Sequence, residues 1–326
     1  MARRTPPPPM EHDLRDGAGP PDHGALTESV AKLRAEMAEL RREVETLRAG
    51  DSRTPVYVGD GTVLAPTHFD RWIYLDTADR SVSPHILTTG TWERGVTRFF
   101  QTYLPEGGTY VEVGANYGYY TLQAACLVGD TGRVVAFEPG PRMFSLLERT
   151  IDVNGVGPRT TLHEAAVTDA AGTATFYLKG DWHGGSSLYN EADSPWDVTE
   201  VEVLTTTLDD ALANSLDGRW VDVCKIDAEG AEATVLAGAA DLLANPDLVL
   251  LVEVHDRAWA DLDDDAGRFL AELAQLGFRF WLIEEDGRGV ESTAEQVLAA
   301  AVVARDVCCA RHTPTPRPGF PPLIDG

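Results

Sequence analysis

Residues 110–139 constrain the fold of this chain more than any other stretch. A short apolar strand is predicted first, and a glycine-containing turn follows it at residues 114–118. Residues 119–127 then have the composition of a helix, and residues 133–137 form a second β-rich run that ends at Glu138. A strand, a glycine turn, a helix, a strand and an acid form the first half of a nucleotide-binding α/β unit.

The residues of this turn indicate how a ligand would bind. Gly114 can adopt backbone conformations closed to other residues, and the helix N-terminus beyond it offers free amide donors. Glu138 follows the turn by about two dozen residues, where an acid can accept hydrogen bonds from both ribose hydroxyls of a nucleoside. The dinucleotide pattern GxGxxG needs further glycines, and this chain has Asn116 and Tyr119 there. The turn therefore predicts a nucleoside without a pyrophosphate.

Three motifs resemble those of a known family. VEVGANYGYYT (residues 111–121) and AFEP (136–139) are similar to the first two motifs of class I S-adenosylmethionine-dependent methyltransferases. Within that class, the residues of these two motifs and the third motif, KIDAEGAE (225–232), are similar to those of the FkbM family. The resemblance covers roughly residues 90–255. The resemblance implies an α/β, Rossmann-like fold with a seven-stranded, mostly parallel sheet, an antiparallel final strand and helices on both faces.

The same resemblance implies S-adenosylmethionine as the cofactor. The cofactor-binding residues that it implies are Glu112, Gly114, Ala115, Asn116, Gly118, Glu138, Pro139, Ala166, Val167 and Asp227. Asp169 follows the third predicted strand (160–167) and could contact the adenine amino group, although a turn-forming Asp requires no ligand. Glu93 could face the site from the preceding segment, or be a solvated acid that the helix dipole favours.

Polar residues at the ends of two later predicted strands are the candidates for catalysis. Methyl transfer to oxygen is an in-line displacement, so the protein must align donor and acceptor and help to remove the hydroxyl proton. His255 is the candidate base, because its ordinary pKa is close to neutrality. Asp227 orients the acceptor or is itself the base, and Lys225 pairs with Asp227 or Glu229.

The carboxylates near these strand ends allow two other interpretations. Asp227, Glu253 and Asp256 could supply oxygen ligands to a divalent cation. Alternatively, an ion-pair network closes the strand ends, and Glu229 and Glu232 are acids at a helix N-terminus, where they are favoured without a catalytic role.

A long stretch without a regular pattern, residues 180–198, separates two β-like segments. It is rich in glycine and contains Trp182, His183, Ser186 and Ser187. Such loops are usually either functional or disordered. We predict a lid on the substrate side, in which His183 either contacts the acceptor or is merely solvated.

The N-terminal region has a different pattern. Residues 1–24 are rich in proline, glycine and charge and are predicted to be disordered. From residue 26 to residue 47, apolar residues recur in steps of four and three, with Leu at d and mostly Val at a. This heptad favours two parallel strands and predicts a coiled-coil helix over residues 25–49 that forms a homodimer. The alternative is one amphipathic helix that packs on its own globular domain.

Composition bounds the compartment and the partners. The formal net charge of −25 argues against binding to nucleic acid or anionic membranes. The four cysteines form no CxxC pair and fit a reducing cytoplasm, and no apolar run approaches the roughly 20 residues of a membrane-spanning helix. We therefore expect a cytoplasmic protein with a cap at residues 50–104, a methyltransferase domain at 105–310 and a flexible tail at 311–326.

These features together predict an O-methyltransferase that acts on a hydroxyl of a sugar or specialised metabolite, as in natural-product biosynthesis. The substrate class comes from the resemblance alone, and N-methylation is an alternative. Two alternative functions belong to other classes of protein: a catalytically silent coiled-coil scaffold and an oxidoreductase on a related fold. The missing second glycine opposes the oxidoreductase.

Overall fold

The structure is a computed structural model that describes residue 32 and residues 54–190, 195–254, 266–301 and 304–324. Apart from Lys32, these residues belong to Thr54–Gly326, the second of two units into which the chain divides. The predictions of disorder, a coiled coil and a dimer fall outside the described residues, as do His255 and Asp256.

Strands and helices alternate along most of this unit. The strands are β1 Val56–Gly59, β2 Thr62–Pro66, β3 Trp72–Asp76, β4 Thr109–Val113, β5 Arg133–Phe137, β6 Thr160–His163, β7 Ala166–Val167, β8 Gly172–Lys179, β9 Val198–Thr206, β10 Val223–Ile226, β11 Val249–Val254, β12 Arg279–Ile283, β13 Gly289–Ser292 and β14 Arg305–Ala310. The helices are α1 Ser83–Thr89, α2 Arg94–Tyr103, α3 Tyr119–Leu127, α4 Pro141–Asn154, α5 Leu208–Ser215, α6 Glu232–Ala237, α7 Ala240–Leu243, α8 Ala266–Gln275 and α9 Ala294–Ala300.

A central sheet of eight strands organises the domain, in the order β13-β12-β14-β11-β10-β4-β5-β6. Strands β6, β5, β4, β10 and β11 run parallel to one another. Strand β14 is inserted antiparallel between β11 and β12. The chain proceeds outward in both directions from β4 and β10, so the strand order reverses between them. Ligands bind beyond the carboxyl ends of such strands, beside the reversal point.

Both faces of the central sheet are covered, because successive side chains of a strand point to opposite faces. Tyr110 packs in one apolar cluster with residues of α2, α3 and α4. Val111, the next residue, packs in a second cluster with residues of α5, α6, α8 and α9. Burying one such side chain contributes roughly 1.5–3 kcal/mol. The predicted Rossmann-like arrangement with helices on both faces is confirmed.

The sheet has eight strands rather than the predicted seven. The additional strand, β13, pairs antiparallel with β12 at the edge of the sheet. The final strand is antiparallel, as predicted, but β14 begins at Arg305, where the predicted strand (300–305) ends. The sequence also predicts a helix over residues 293–299, which agrees with α9 (294–300), and this helix begins with a capping box at Thr293. A continuous apolar run does not distinguish the end of a helix from a buried strand.

Two other predicted elements are divided. The third predicted strand (160–167) splits into β6, which pairs with β5, and β7, which pairs with β9 in a separate three-stranded sheet. The predicted helix over residues 231–244 is interrupted between α6 and α7. A Cβ on Gly238 would lie 2.4 Å from the carbonyl oxygen of Thr168, so the chain needs glycine where the two segments meet.

The cap and the tail both pack on the domain. Strands β1, β2 and β3 form an antiparallel sheet, and the Asn154 side chain of α4 bonds to the backbone of Trp72 in β3. The tail was predicted to lack a packing pattern, but Leu323 and Ile324 are buried and their N–H groups donate to the hydroxyl of Tyr103. Within the described ranges, no helix has the length and apolar character needed to cross a membrane.

Candidate cofactor and acceptor site

A cavity of about 390 Å³ opens at the carboxyl ends of β4, β5, β10 and β11. It lies at the reversal point of the strand order. Its wall contains most of the residues predicted from the sequence, namely Glu112, Gly114, Ala115, Asn116, Glu138, Pro139, Ala166, Val167, Lys225, Asp227, Glu229 and Glu253. Gly118 and Asp169 are not wall residues: Gly118 is the N-cap of α3, and Asp169 is exposed.

The turn between β4 and α3, residues 114–118, is called the cofactor turn here. Gly114 has φ +82°, and its N–H donates to the carbonyl oxygen of Phe137 at 3.1 Å. A Cβ on Gly114 would lie 1.9 Å from the carbonyl oxygen of Asp227. The prediction that Gly114 keeps space open for a ligand is therefore incomplete. Glycine is needed because two turns that line the cavity touch at this point.

Glu138 closes β5 and is oriented by backbone amides. Its carboxylate accepts the N–H of Asn116 at 2.7 Å and the N–H of Gly140 at 2.8 Å. Burial raises the pKa of Glu138 to about 7, and these two hydrogen bonds limit the rise. A carboxylate has about four acceptor positions, so two remain for the hydroxyls of a ribose. The arrangement fits the predicted nucleoside.

Apolar side chains line the cavity beside Glu138. Ala165, Ala166 and Val167 are buried at and before β7, and Phe176 is buried on β8. The lid residue Leu188 also lines this part of the wall. A planar base fits between such surfaces, since it loses little hydration there and gains dispersion contacts.

Four charged residues of the central strands lie on one face of the sheet. Glu112 on β4 is directly paired with Lys225 on β10, and Glu253 on β11 is directly paired with Asp306 on β14. Each of the four lies two positions from a residue of the apolar cluster that packs on α2 and α3, and so shares its face; these apolar residues are Tyr110, Val223, Leu251 and Cys308. The carboxyl group of Glu112 accepts the hydroxyl of Thr121, and burial raises the pKa of Glu112 to about 8.

Lys225 supplies the positive charge at this end of the cavity. Its Nζ lies 2.6 Å from a carboxylate oxygen of Asp227, as one of the two predicted pairings requires. Burial opposes the charge, but the carboxylates of Asp227, Glu93 and Asp306 outweigh it and hold the pKa of Lys225 well above its usual value. The ammonium group is therefore a fixed cation that orients Asp227 and is not a proton acceptor.

Glu93 faces the cavity rather than the solvent. It precedes α2 with φ +32°, and its carboxylate accepts the hydroxyl of Tyr120 at 2.8 Å. Burial raises the pKa of Glu93, although Lys225 acts in the opposite direction. The sequence allowed two interpretations of Glu93, and the structure supports the one in which Glu93 faces the site.

Three carboxylates meet at the acceptor end of the cavity. Oxygen atoms of Asp227, Glu229 and Glu253 lie within 4.8 Å of one another. Burial, followed by repulsion from Asp227, raises the pKa of Glu229 and of Glu253 well above the usual range. Glu232 instead accepts the N–H groups of Ala228 and Gly230, as expected for an acid at a helix N-terminus. The trio offers hard oxygen ligands or hydrogen-bond partners to whatever occupies this end.

The predicted lid contacts three parts of the wall. Its backbone at His183 forms a short 3₁₀ turn whose N–H donates to Asp79, and the His183 side chain meets Tyr117 of the cofactor turn. Ser187 donates to the carbonyl oxygen of Glu229 at 2.7 Å. Sequence reasoning missed Asp79, Tyr117 and Asp306. Of these three, Asp306 left a weak signal, an acid directly before the apolar residues 307–310, although it follows Arg305 and is not a lone charge like those of β4, β10 and β11.

The order of the central sheet and the turn after its first core strand define a Rossmann-like domain. A family model described as the methyltransferase FkbM domain matches residues 112–280, slightly more than half of the chain. The chain belongs to the FkbM methyltransferase family, and the predicted membership is confirmed.

Individual relatives are more distant. Methyltransferase 1 of Beauveria bassiana (strain ARSEF 2860) is 29% identical over 154 residues, which cover 42% of this chain and 60% of that protein. The chain thus spans less than two thirds of this relative's length.

Solved structures with similarity to the chain include a methyltransferase FkbM from Methylobacillus flagellatus KT, with 16% identity and a TM-score of 0.38 over 63% of this chain and 43% of that one. Another is the O-methyltransferase from Bacillus cereus in complex with SAH, with 13% identity and a TM-score of 0.38 over 67% and 80% of the two chains. These scores are too low to support the fold, which rests on the strand order.

Proposed function

We propose that this protein is an S-adenosylmethionine-dependent methyltransferase that methylates a hydroxyl group of a sugar or specialised metabolite. The observation that carries the proposal is Glu138, a buried carboxylate with free acceptor positions beside a glycine turn at the reversal point of the sheet. Family membership and the matched relatives, which are named as methyltransferases, support the reaction type. S-adenosylmethionine would supply the methyl group as a sulfonium when bound.

The cofactor residues divide into three groups by position. Glu138 and Asn116 would hold the ribose, and the apolar surface at Ala166 and Val167 would hold the adenine. Glu112, at the end of β4, would face the amino acid portion. Together they would direct the reactive end toward the carboxylate trio.

The acceptor residues would orient a hydroxyl and remove its proton. Lys225 holds the carboxylate of Asp227 in place through their ion pair, so Asp227 would accept the hydroxyl hydrogen bond. Glu229 and Glu253 offer further acceptors to a substrate with several hydroxyl groups. We retain His255 as the alternative base. An amine acceptor is the alternative substrate class.

The proposed reaction can be tested with labelled S-adenosylmethionine and a metabolite extract of the source cell. We expect label to enter a small molecule, in a product whose new methyl group is on oxygen. Treatment with a chelator separates two uses of the carboxylate trio. If the trio binds a divalent cation, activity is lost and returns with Mg²⁺, whereas a metal-free site keeps its activity.

The controls for this assay are variants of the candidate bases. Asp227→Asn should lower turnover by roughly a hundredfold or more if Asp227 is the base, as general acid–base groups contribute about 10²–10⁴. His255→Ala should then have little effect, and the reverse result would assign the base to His255. Failure of the wild-type protein to bind S-adenosylmethionine would contradict the proposed function.

We also propose that residues 26–47 form a parallel coiled-coil homodimer. Leu33 and Leu40 occupy d positions, so the double substitution Leu33→Lys and Leu40→Lys should give monomers, because it places like charges in the seam. Ala35 occupies an f position on the outer face, and Ala35→Lys should remain dimeric. Light scattering after gel filtration distinguishes these outcomes. A dimer that survives the double substitution would place the interface elsewhere.

A further inference from the structure

The side chains of Tyr117 and His183 join the cofactor turn to the predicted lid, residues 180–198. The hydroxyl oxygen of Tyr117 lies 2.5 Å from Nδ1 of His183, and Nε2 lies 2.9 Å from the carbonyl oxygen of Gly180. A carbonyl oxygen can only accept hydrogen bonds, so we assign the tautomer in which Nε2 donates to Gly180 and Nδ1 accepts from the phenol of Tyr117. Both ring nitrogens are engaged, which leaves neither for the proton of an acceptor.

Tyr117 connects this contact to the group that orients Glu138. Its side chain is 1% exposed, so it is fixed by packing as well as by the hydrogen bond. The preceding residue, Asn116, has φ +51° and donates its N–H to Glu138. A displacement of Tyr117 would therefore move the amide that holds the ribose-binding carboxylate.

The lid has other anchors that do not involve the imidazole. The N–H of His183 donates to Asp79 at 3.3 Å, and the N–H of Gly184 donates to the hydroxyl of Ser81 at 2.9 Å. The hydroxyl of Ser187 holds a later part of the lid on Glu229. The lid backbone is thus supported independently, and the imidazole supports the turn.

We propose that His183 is a positioning residue that holds the cofactor turn in its binding conformation through Tyr117. This inference replaces the expectation that His183 contacts the acceptor. It rests on the proposed function, because the turn is taken to bind S-adenosylmethionine.

The test combines cofactor affinity with hydrogen exchange. His183→Ala and Tyr117→Phe should each weaken S-adenosylmethionine binding about tenfold by calorimetry, the effect of losing one well-formed hydrogen bond. The double variant should bind S-adenosylmethionine with about the affinity of the single variants, because both changes remove the same hydrogen bond. His183→Asn should retain most of the affinity, since its amide oxygen can accept from Tyr117 in place of Nδ1. In the free protein, amides of residues 114–118 should exchange about tenfold faster in His183→Ala and Tyr117→Phe.

The matched control is Asp181→Asn, which removes an exposed ion pair between the lid and Arg80. It should change neither the affinity nor the exchange of the turn, since exposed pairs contribute little. Three results would overturn the positioning role. They are a wild-type affinity for S-adenosylmethionine in His183→Ala, a loss of affinity in the double variant equal to the product of the single losses, and unchanged hydrogen exchange at residues 114–118. If the wild-type protein does not bind S-adenosylmethionine, the proposed function fails, and the exchange measurement alone still decides the role of His183.

Discussion

Replacing Gly114 with valine is expected to abolish the binding of S-adenosylmethionine. The positive φ of Gly114 would cost a residue with a Cβ roughly 1–2 kcal/mol. The larger effect is steric, because the added Cβ would lie 1.9 Å from the carbonyl oxygen of Asp227. The cofactor turn or the turn after β10 must therefore move, and both turns line the cavity. Calorimetric titration with S-adenosylmethionine measures the loss, and circular dichroism monitors folding.

Gly155 provides the matched control for this prediction. It also has a positive φ, +67°, but a Cβ there would have no atom within 4 Å. Gly155→Ala should therefore lose a similar amount of stability from backbone strain and keep its cofactor affinity. If Gly114→Val binds S-adenosylmethionine as well as Gly155→Ala does, the cofactor site lies elsewhere.

Replacing Glu138 with alanine is expected to weaken S-adenosylmethionine binding by a hundredfold or more. Hydrogen bonds to a charged group contribute roughly 1.5–3 kcal/mol each, and two such bonds to the ribose would be lost. The N–H groups of Asn116 and Gly140 would also lose their acceptor. Glu138→Gln keeps the shape of the side chain and one carbonyl oxygen. Its affinity for S-adenosylmethionine should therefore fall by only about tenfold, the effect of losing one charge-assisted hydrogen bond.

The pH dependence of binding gives an independent test of the same carboxylate. Burial raises the pKa of Glu138 to about 7. Under the proposed function, the ionised form would accept both ribose hydroxyls. Affinity should therefore be constant above this pH and fall by up to about tenfold per unit below it, with a proton released on binding. The affinity of the Glu138→Gln variant should not show this fall at low pH, because its side chain does not titrate. An unchanged pH profile in that variant would show that Glu138 does not control binding.

Local chemistry made the first βαβ unit predictable from the sequence. The glycine turn and the prolines after Glu138 mark where α3 and α4 begin, so their boundaries agree with the structure to within one or two residues. Those features depend on neighbours in the chain, and short-range patterns report them well. The other wall residues around Glu138 were implied by the resemblance to the FkbM family, whose motifs cover the same stretch.

Contacts between distant segments could not be predicted in this way. The need for glycine at residue 114 arises from Asp227, which lies in the turn after β10, more than a hundred residues further along the chain. The bond between Tyr117 and His183 joins residues 66 positions apart, and neither residue type indicates the other. Asp306 was missed because the predicted last strand ended one residue before it, and an apolar run does not reveal its register.

The position of β14 affects how the domain is made during translation. This strand lies between β11 and β12, although it comes last of the three in the chain. Until the ribosome has released residues 305–310, β11 has an exposed edge and β12 can pair only with β13. Exposed strand edges invite pairing with other chains. The nascent protein should therefore depend on chaperones until β14 inserts, and damage to that short segment should cause aggregation before it affects the cavity.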